Sequence, residues 1–276
     1  MLPRHTKLVV RATLVAGSLC CACSREQSSS AAAAGRPTRP SILLVTLDTT
    51  RADVLVPEVM PHLVRLAEGG TRFRHAYATV PMTLPSHASM LTGLYASEHG
   101  IHENSRPLAA GHRLVAQQLH EAGYATAAFV SSFVLDRQFG LARGFDRYDD
   151  ELRDGALERG ARETTERALA WLASAGDAPV FVWVHYYDPH APYAPPEPYR
   201  GQFAKEPYRG EVAYVDSELG RLVEAFERRA GAGRWRLLVV GDHGEGLGEH
   251  GEAQHGNLLY QATVRVPLVL AGEGVP

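Results

Sequence analysis

Three apolar runs of the sequence are each followed at once by carboxylate or imidazole side chains. Asp48 follows the first run, His185 the second, and Asp242 with His243 the third. Oxygen and imidazole ligands of this kind suit a divalent cation such as Zn²⁺, Mn²⁺, Mg²⁺ or Ca²⁺. Each group alone could be an ordinary turn after a strand, but together they favour a metal site.

A hydroxyl group suited to nucleophilic attack lies in the segment 80–93. Thr83 is a favourable helix N-cap, Pro85 suits a first helical turn, and Gly93 suits a helix end. The positive end of a helix attracts a tetrahedral anion. Beside a metal ion, which lowers the pKa of a coordinated hydroxyl, a threonine can become a nucleophile. Taken alone, the segment is more typical of an ordinary capped helix.

The elements that must position these groups follow from hydrophobic patterning. Continuous apolar runs of strand length are typical of strands buried on both faces of a parallel sheet. We predict strands over residues 41–47, 125–130, 180–184, 235–240 and 266–271, and helices over 60–67, 114–122, 157–174 and 212–228. This alternation predicts an α/β fold, a three-layer α/β/α sandwich with a mostly parallel central sheet. Such sheets bind ligands at the carboxyl ends of their strands.

Composition limits the classes of function. The chain has 276 residues, 45% of them hydrophobic, which is enough for a large core. With a net charge of −3 and no long basic run, nucleic acid is excluded as the main partner. The cysteines are Cys20, Cys21 and Cys23, so we expect no disulfide and no thiolate metal site in the folded part.

The first 40 residues are predicted to be a leader and a tether. Residues 1–23 combine basic residues with a short apolar run, as in a signal peptide, and residues 24–40 are of low complexity. Residues 19–24 resemble a bacterial lipoprotein signal in which Cys23 would be lipidated, although Cys20 stands where an aliphatic residue is usual. We expect export to the periplasm or cell envelope. Lipid attachment to the membrane through Cys23 and an uncleaved apolar N-terminus both remain open.

Residues 41–276 resemble the sulfatase family of the alkaline phosphatase superfamily. The resemblance rests on residues 42–53, 81–93, 185–196, 241–251 and 255–276, in this order. It implies an alkaline phosphatase-like fold in which Asp48, Asp242 and His243 bind a metal beside the nucleophile. Thr83 occupies the position of that nucleophile and would also be a metal ligand. Since relatives continue beyond the position of Pro276, the resemblance implies a domain that lacks its C-terminal part.

The sequence departs from sulfatases at three positions of these motifs. Thr49 stands where a second aspartate is usual, and His87 replaces an arginine. Thr83 replaces the cysteine or serine that becomes formylglycine, so no formylglycine is expected. Threonine nucleophiles occur in superfamily relatives that act on phosphodiesters, phosphonates or phospholipid head groups. The resemblance therefore leaves sulfate and phosphate-type esters both open.

The remaining histidines and acids near the motifs have two interpretations. Asp188, His190 and His255 could bind a second metal ion, as in two-metal relatives. Alternatively, His190 and His255 contact the anion or protonate the leaving group, and we favour this assignment as catalytic residues. For anion contacts in the substrate site we assign Arg51, His87 and His185.

These residues together predict a metal-dependent ester hydrolase. Thr83 would attack phosphorus or sulfur, and the resulting covalent ester would be transferred to water. The sequence leaves two alternatives. One is a transferase that passes the group to an envelope lipid or glycan, and the other is a non-catalytic protein that binds an anionic glycan.

Overall fold

The computed structural model describes residues 39–153 and 155–276. The predicted signal peptide and most of the predicted tether lie outside these residues. In the described ranges, no helix is both long enough and apolar enough to cross a membrane.

The secondary structure alternates strands and helices along the chain. The strands are β1 (Ser41–Leu47), β2 (Thr71–Arg72), β3 (Ala76–Tyr77), β4 (Ala125–Phe129), β5 (Arg147–Asp149), β6 (Val180–Tyr186), β7 (Trp235–Gly241), β8 (Arg265–Val266) and β9 (Leu268–Gly272). The α-helices are α1 (Pro61–Glu68), α2 (Thr83–Thr92), α3 (Ala96–His99), α4 (Val115–Glu121), α5 (Ala161–Ser174), α6 (Tyr199–Gln202), α7 (Pro207–Ala230) and α8 (Gln261–Val264). Short 3₁₀ helices cover Ala52–Val54, Phe133–Leu135, Arg137–Phe139 and Glu249–Gly251.

A seven-stranded sheet forms the centre of the fold, in the order β2-β9-β7-β1-β6-β4-β5. Neighbouring strands from β7 to β5 are parallel. Strand β9 is antiparallel to β7, and β2 is antiparallel to β9. A separate two-stranded sheet pairs β3 with β8. The mostly parallel sheet predicted from the apolar runs is confirmed.

Helices cover both faces of this sheet. On one face, α1, α5 and α7 bury Leu63, Leu172 and Leu219. On the other face, α2 and α4 bury Leu84 and Ala116. Each such leucine stabilises the fold by about 1.5–3 kcal/mol when it leaves water. The three-layer α/β/α arrangement predicted from the sequence is therefore confirmed.

Four of the five predicted strands agree with β1, β4, β6 and β7 within two residues. The fifth, predicted over residues 266–271, is instead divided between β8 and β9, which belong to different sheets. Pro267 separates them, because proline has no N–H to donate to a strand ladder.

Two helices begin at residues other than those predicted from the sequence. The helix predicted from residue 157 begins at Ala161, because the preceding residues bond to another segment. Glu158 forms a β-bridge with Ser132, and the Arg159 N–H donates to the Ser131 carbonyl at 2.9 Å. Helix α7 begins at Pro207, five residues before its predicted start at residue 212, since proline is well tolerated in a first helical turn.

Candidate active site

The register of the central strands brings the predicted metal ligands together. Leu47 of β1 pairs with Gly241 of β7, so the next residues, Asp48 and Asp242, are neighbours at the carboxyl edge of the sheet. Ligand atoms of Asp48, Asp242 and His243 all lie within 4.8 Å of one another, and the three residues are fully buried. The sequence prediction that these three side chains meet agrees with this geometry.

Two buried carboxylates in this group oppose each other. Asp48 Oδ1 and Asp242 Oδ2 have no hydrogen-bond partner. Burial and the charge of Asp48 raise the pKa of Asp242 well above its ordinary value. At this separation, and with an effective dielectric constant of about 20, two unit charges repel by about 3 to 4 kcal/mol. A cation between the two carboxylates would remove this repulsion and satisfy both oxygens.

The imidazole of His243 is oriented to complete such a site. Its Nδ1 lies 3.0 Å from the Gly244 carbonyl oxygen. Because a carbonyl oxygen can only accept a hydrogen bond, Nδ1 is the protonated nitrogen and donates to it. Its Nε2 therefore carries the lone pair, 3.5 Å from Asp242 Oδ2. Burial lowers the pKa of His243 to about 4, which keeps the ring neutral at pH 7. Two unpartnered carboxylate oxygens and one imidazole nitrogen fit a divalent cation.

A further buried oxygen near this group belongs to Thr49. This residue has a φ of 45°, in the left-handed region that β-branched residues rarely adopt. Its N–H donates to Asp242 Oδ1 at 3.2 Å, and its carbonyl accepts a hydrogen bond from Tyr208 at 2.8 Å. Thr49 Oγ1 is buried without a partner, so it is available to an ion or an anion beside Asp48.

The hydroxyl of Thr83 faces the ligand group. Thr83 is the first residue of α2, whereas Met82 is its N-cap, so the prediction that the Thr83 side chain caps this helix is wrong. Its Oγ1 donates instead to Asp48 Oδ2 at 3.2 Å and lies 3.4 Å from His243 Nε2. The predicted helix end at Gly93 is confirmed, with a φ of 75°.

His87 lies beneath Thr83, in the interior of the protein. It has no exposed surface, and its Nδ1 donates to the Thr83 carbonyl at 2.8 Å. Its Nε2 lies 2.9 Å from Thr46 Oγ1, which also accepts the indole N–H of Trp183. Burial lowers the pKa of His87 to about 3. In this geometry a neutral ring with both nitrogens engaged supports the start of α2, where the sequence analysis expected an anion contact.

His185 is likewise occupied by protein groups. On the fully buried strand β6, its Nε2 lies 3.2 Å from Asp48 Oδ2. Its Nδ1 lies 3.4 Å from the Ser131 N–H. Burial has the largest effect and raises the pKa of Asp48, but the hydrogen bond from His185 and the charge interactions with His243, His185 and His190 together lower it. His185 thus orients a candidate metal ligand, and its contact with substrate stays a prediction.

Arg51, which the sequence analysis expected to contact an anion, is paired with two carboxylates of the protein. Its guanidinium bonds to Asp53 at 2.6 Å and to Glu249 at 2.7 Å. A third bond, of 3.2 Å, reaches the carbonyl of Glu245. Arg51 therefore ties the turn after β1 to the segment after β7.

Asp188 lies apart from the ligand group. Burial raises its pKa to about 7, and its carboxyl accepts the backbone N–H of Ala161 at the start of α5. The charged groups that affect it are Glu158 and Glu218, which are not part of the metal-ligand group. Asp188 Oδ2 is buried without a hydrogen-bond partner, and no group of candidate ligands among the described residues includes Asp188, so its role as ligand for a second ion stays a prediction. Its position after β6 directs it to a helix N-terminus.

His190 and His255 gather beside His243. The ring centre of His255 lies 4.4 Å from that of His243 and 5.1 Å from that of His190. His190 stacks on Tyr187, and its Nδ1 donates to the Ala191 carbonyl at 2.8 Å. In the described ranges neither Nε2 has a hydrogen-bond partner. Both nitrogens are therefore available to a ligand.

Glu245 is a site residue that the sequence analysis missed. It is fully buried, and its Oε1 accepts a hydrogen bond from His255 Nδ1 at 3.1 Å. Its Oε2 accepts the Tyr193 hydroxyl at 2.8 Å. Burial has the largest effect and lowers the pKa of His255, but this bond to Glu245 and the charges of Asp48, Glu245 and Glu252 together raise it. Its only sequence signal was its position inside the motif 242–251.

Comparison with known proteins shows the family. A sequence model described as Sulfatase matches residues 40–276, so the chain belongs to the sulfatase family. It is 25% identical over 312 residues to an extracellular sulfatase SULF-1 homolog of Drosophila melanogaster, covering 87% of this chain and 28% of that protein. It is 40% identical over 67 residues to human bis(5'-adenosyl)-triphosphatase ENPP4, covering 24% of this chain and 15% of that protein.

Solved structures show the same fold. The phosphonate monoester hydrolase of Agrobacterium radiobacter superposes with a TM-score of 0.72 at 20% identity, covering 85% of this chain and 68% of that one. The matches to the Drosophila sulfatase homolog and to human ENPP4 cover 28% and 15% of those proteins, so the chain matches well under half of the length of either curated relative.

The opposed carboxylates generate a prediction about metal binding. Divalent cation should raise the melting temperature of the wild-type protein, and binding at one hundred times the dissociation constant adds about 2.7 kcal/mol. Asp242→Asn should melt higher than wild type without metal, because repulsion is lost, and should lose the response to metal. Melting curves with Mn²⁺, Zn²⁺ or Ca²⁺, after treatment with chelator, measure both effects.

Glu211→Gln is the matched control. Glu211 is also a buried acid, with a pKa raised by burial to about 8, but it lies outside the ligand group. Its variant should keep the full metal response. A response that survives in Asp242→Asn would contradict the assigned ligands.

Proposed function

We propose that the chain is a metal-dependent hydrolase of sulfate or phosphate-type esters with Thr83 as the nucleophile. The observation that carries this proposal is the position of Thr83 Oγ1, 3.2 Å from Asp48 Oδ2 and 3.4 Å from His243 Nε2. A cation held by Asp48, Asp242 and His243 would lower the pKa of the Thr83 hydroxyl and stabilise developing charge.

The chain's own groups account for each step of the reaction. Thr83 Oγ1 releases its proton to solvent and attacks phosphorus or sulfur while the bond to the leaving oxygen breaks. His255 or His190 gives a proton to the departing alcohol, and both present a free Nε2. Water then attacks the covalent ester and releases Thr83 with its proton restored.

The start of α2 contributes to binding of the anion. Backbone N–H groups in a first helical turn have no partner within the helix and attract negative charge. The Leu84 N–H is taken by the side-chain oxygen of Asn104 at 2.9 Å. The N–H of Thr83 is the neighbouring donor that we assign to the substrate.

Threonine at this position supports action on phosphorus esters over sulfate esters. Formylglycine forms from cysteine or serine, so Thr83 acts as an unmodified hydroxyl. The similar proteins carry names of both kinds, an extracellular sulfatase and a triphosphatase.

We place the chain in the cell envelope, as its leader and the extracellular relative suggest, with lipidation of Cys23 as part of this proposal.

Substitution of Thr83 tests the nucleophile. Thr83→Ala should lower turnover by about a thousandfold or more, because the covalent path is lost. Thr83→Ser keeps a hydroxyl and is the matched control that should retain activity. Rates of the full chain with divalent cation are compared on an aryl sulfate, phosphate, phosphodiester and phosphonate ester. We expect a phosphorus ester to be preferred.

Other outcomes of this panel would contradict the proposal. Thr83→Ala with a tenth of the wild-type rate would exclude Thr83 as nucleophile. Transfer of the group to an added alcohol in place of water would indicate a transferase. A folded, metal-loaded wild-type protein that is silent on all four esters would favour a binding protein.

Glu245 generates a second prediction for the reaction. We infer that it holds His255 with Nε2 turned to the leaving group. Glu245→Gln should lower the rate on esters with poor alkyl leaving groups by about a hundredfold, and much less on nitrophenyl esters. Tyr193→Phe is the control that leaves the bond to His255 intact and should have a smaller effect of the same kind. An equal loss on both ester types would show a purely structural role.

A further inference from the structure

A basic cavity of about 580 Å³ lies beside the turn that follows Asp48. Its polar lining consists of Arg72, Arg74, His75 and Arg265. Phe73, with 44% of its surface exposed, also lines it, and no carboxylate does. A chain with a net charge of −3 thus concentrates positive charge at one place.

Strand register puts this cavity on the same edge of the sheet as the candidate active site. Strand β9 is antiparallel to β7, so the start of β9 lies beside the end of β7. The Gly241 N–H donates to the Pro267 carbonyl at 3.0 Å, one residue before Asp242. The Phe73 N–H donates to the Leu268 carbonyl at 2.9 Å, which fixes the basic segment 72–75 at this edge.

The cavity and the active site also share structural segments. Ala52 and Leu55, in the turn after Asp48, form one wall of the cavity. The Gly244 N–H donates to the Thr263 carbonyl at 2.8 Å, two residues before Arg265. A ligand long enough to lie across this edge would meet both places.

The guanidinium groups of the cavity are free of acidic partners. Among the described residues, Arg72, Arg74 and Arg265 form no salt bridge, in contrast to Arg51, which pairs with two carboxylates. Arg265 donates to the Arg74 carbonyl at 2.8 Å, and its buried Nε has no partner. Guanidinium groups bind sulfate, phosphate and carboxylate oxygens in bidentate geometry.

We propose that this cavity binds a second anionic group of a polyanionic glycan while another ester group of the same chain lies at Thr83. This inference rests on the proposed function of the Thr83 site. The exposed ring of Phe73 offers an apolar surface for a sugar ring. Two anionic groups held at two places on one edge make long anionic chains better ligands than short ones.

Heparin oligosaccharides serve as the polyanion probe: their binding, measured by calorimetry with the full chain, tests this proposal without turnover and whichever ester is cleaved at Thr83. A hexasaccharide should bind more tightly than a disaccharide. Arg72→Glu with Arg74→Glu should weaken hexasaccharide binding by about tenfold or more, since like charges then face the ligand. Turnover of a small aryl ester should be unchanged, because it does not reach the cavity.

The matched control is Arg39→Glu with Arg234→Glu. These exposed arginines line a cavity with residues around Ser41, at the opposite edge of the sheet, and the change in net charge is the same. We expect the control to weaken hexasaccharide binding by less than about twofold. Equal weakening in both double variants would overturn the proposal, because it would show a response to net charge alone.

Two further outcomes separate this inference from its alternatives. If Arg72 and Arg74 affect binding to phosphatidylglycerol vesicles but not to the hexasaccharide, the surface recognises lipid and the proposal fails. If the wild-type protein turns over no ester but binds the hexasaccharide through Arg72 and Arg74, the cavity is supported and the proposed hydrolase function fails.

Discussion

The repulsion between Asp48 and Asp242 is the constraint on which the rest of the site depends. The β1–β7 register makes them neighbours, and burial removes the water that would screen their charges. Each carboxylate leaves one oxygen without a partner. Such a pair is costly in a folded protein unless a cation or a proton joins it. The neutral His243 ring and the Thr83 hydroxyl lie where a cation would need further ligands.

The surrounding residues hold these groups in place. His185 bonds to Asp48, and His87 fixes the carbonyl of Thr83. Tyr208 holds the Thr49 backbone, and Glu245 holds His255. These contacts come from strands, helices and loops that are distant in sequence, so the geometry of the site depends on the packing of the whole domain. Groups fixed in this way need little reorganisation during a reaction.

The sequence predicted the fold and the meeting of the ligands, because both follow from local patterns. Apolar runs of strand length identified β1, β6 and β7, and parallel strands place their carboxyl ends at one edge. It did not predict which polar residues face a substrate. That depends on partners far along the chain. Thr46 is hydrogen-bonded to His87, Ser131 is hydrogen-bonded to His185, and Glu249 forms a salt bridge with Arg51. Glu245 was missed for the same reason, since its burial is a tertiary property.

The most direct test of Thr83 as the nucleophile is to trap the covalent intermediate and locate it by mass spectrometry. Metal-loaded full-length protein would be mixed with the aryl ester that it turns over best, quenched in acid and digested. We expect a phosphoryl, phosphonyl or sulfuryl group on the peptide that contains Thr83, at the Thr83 oxygen. The same group on Ser86 or His255, with Thr83 unmodified during turnover, would contradict it.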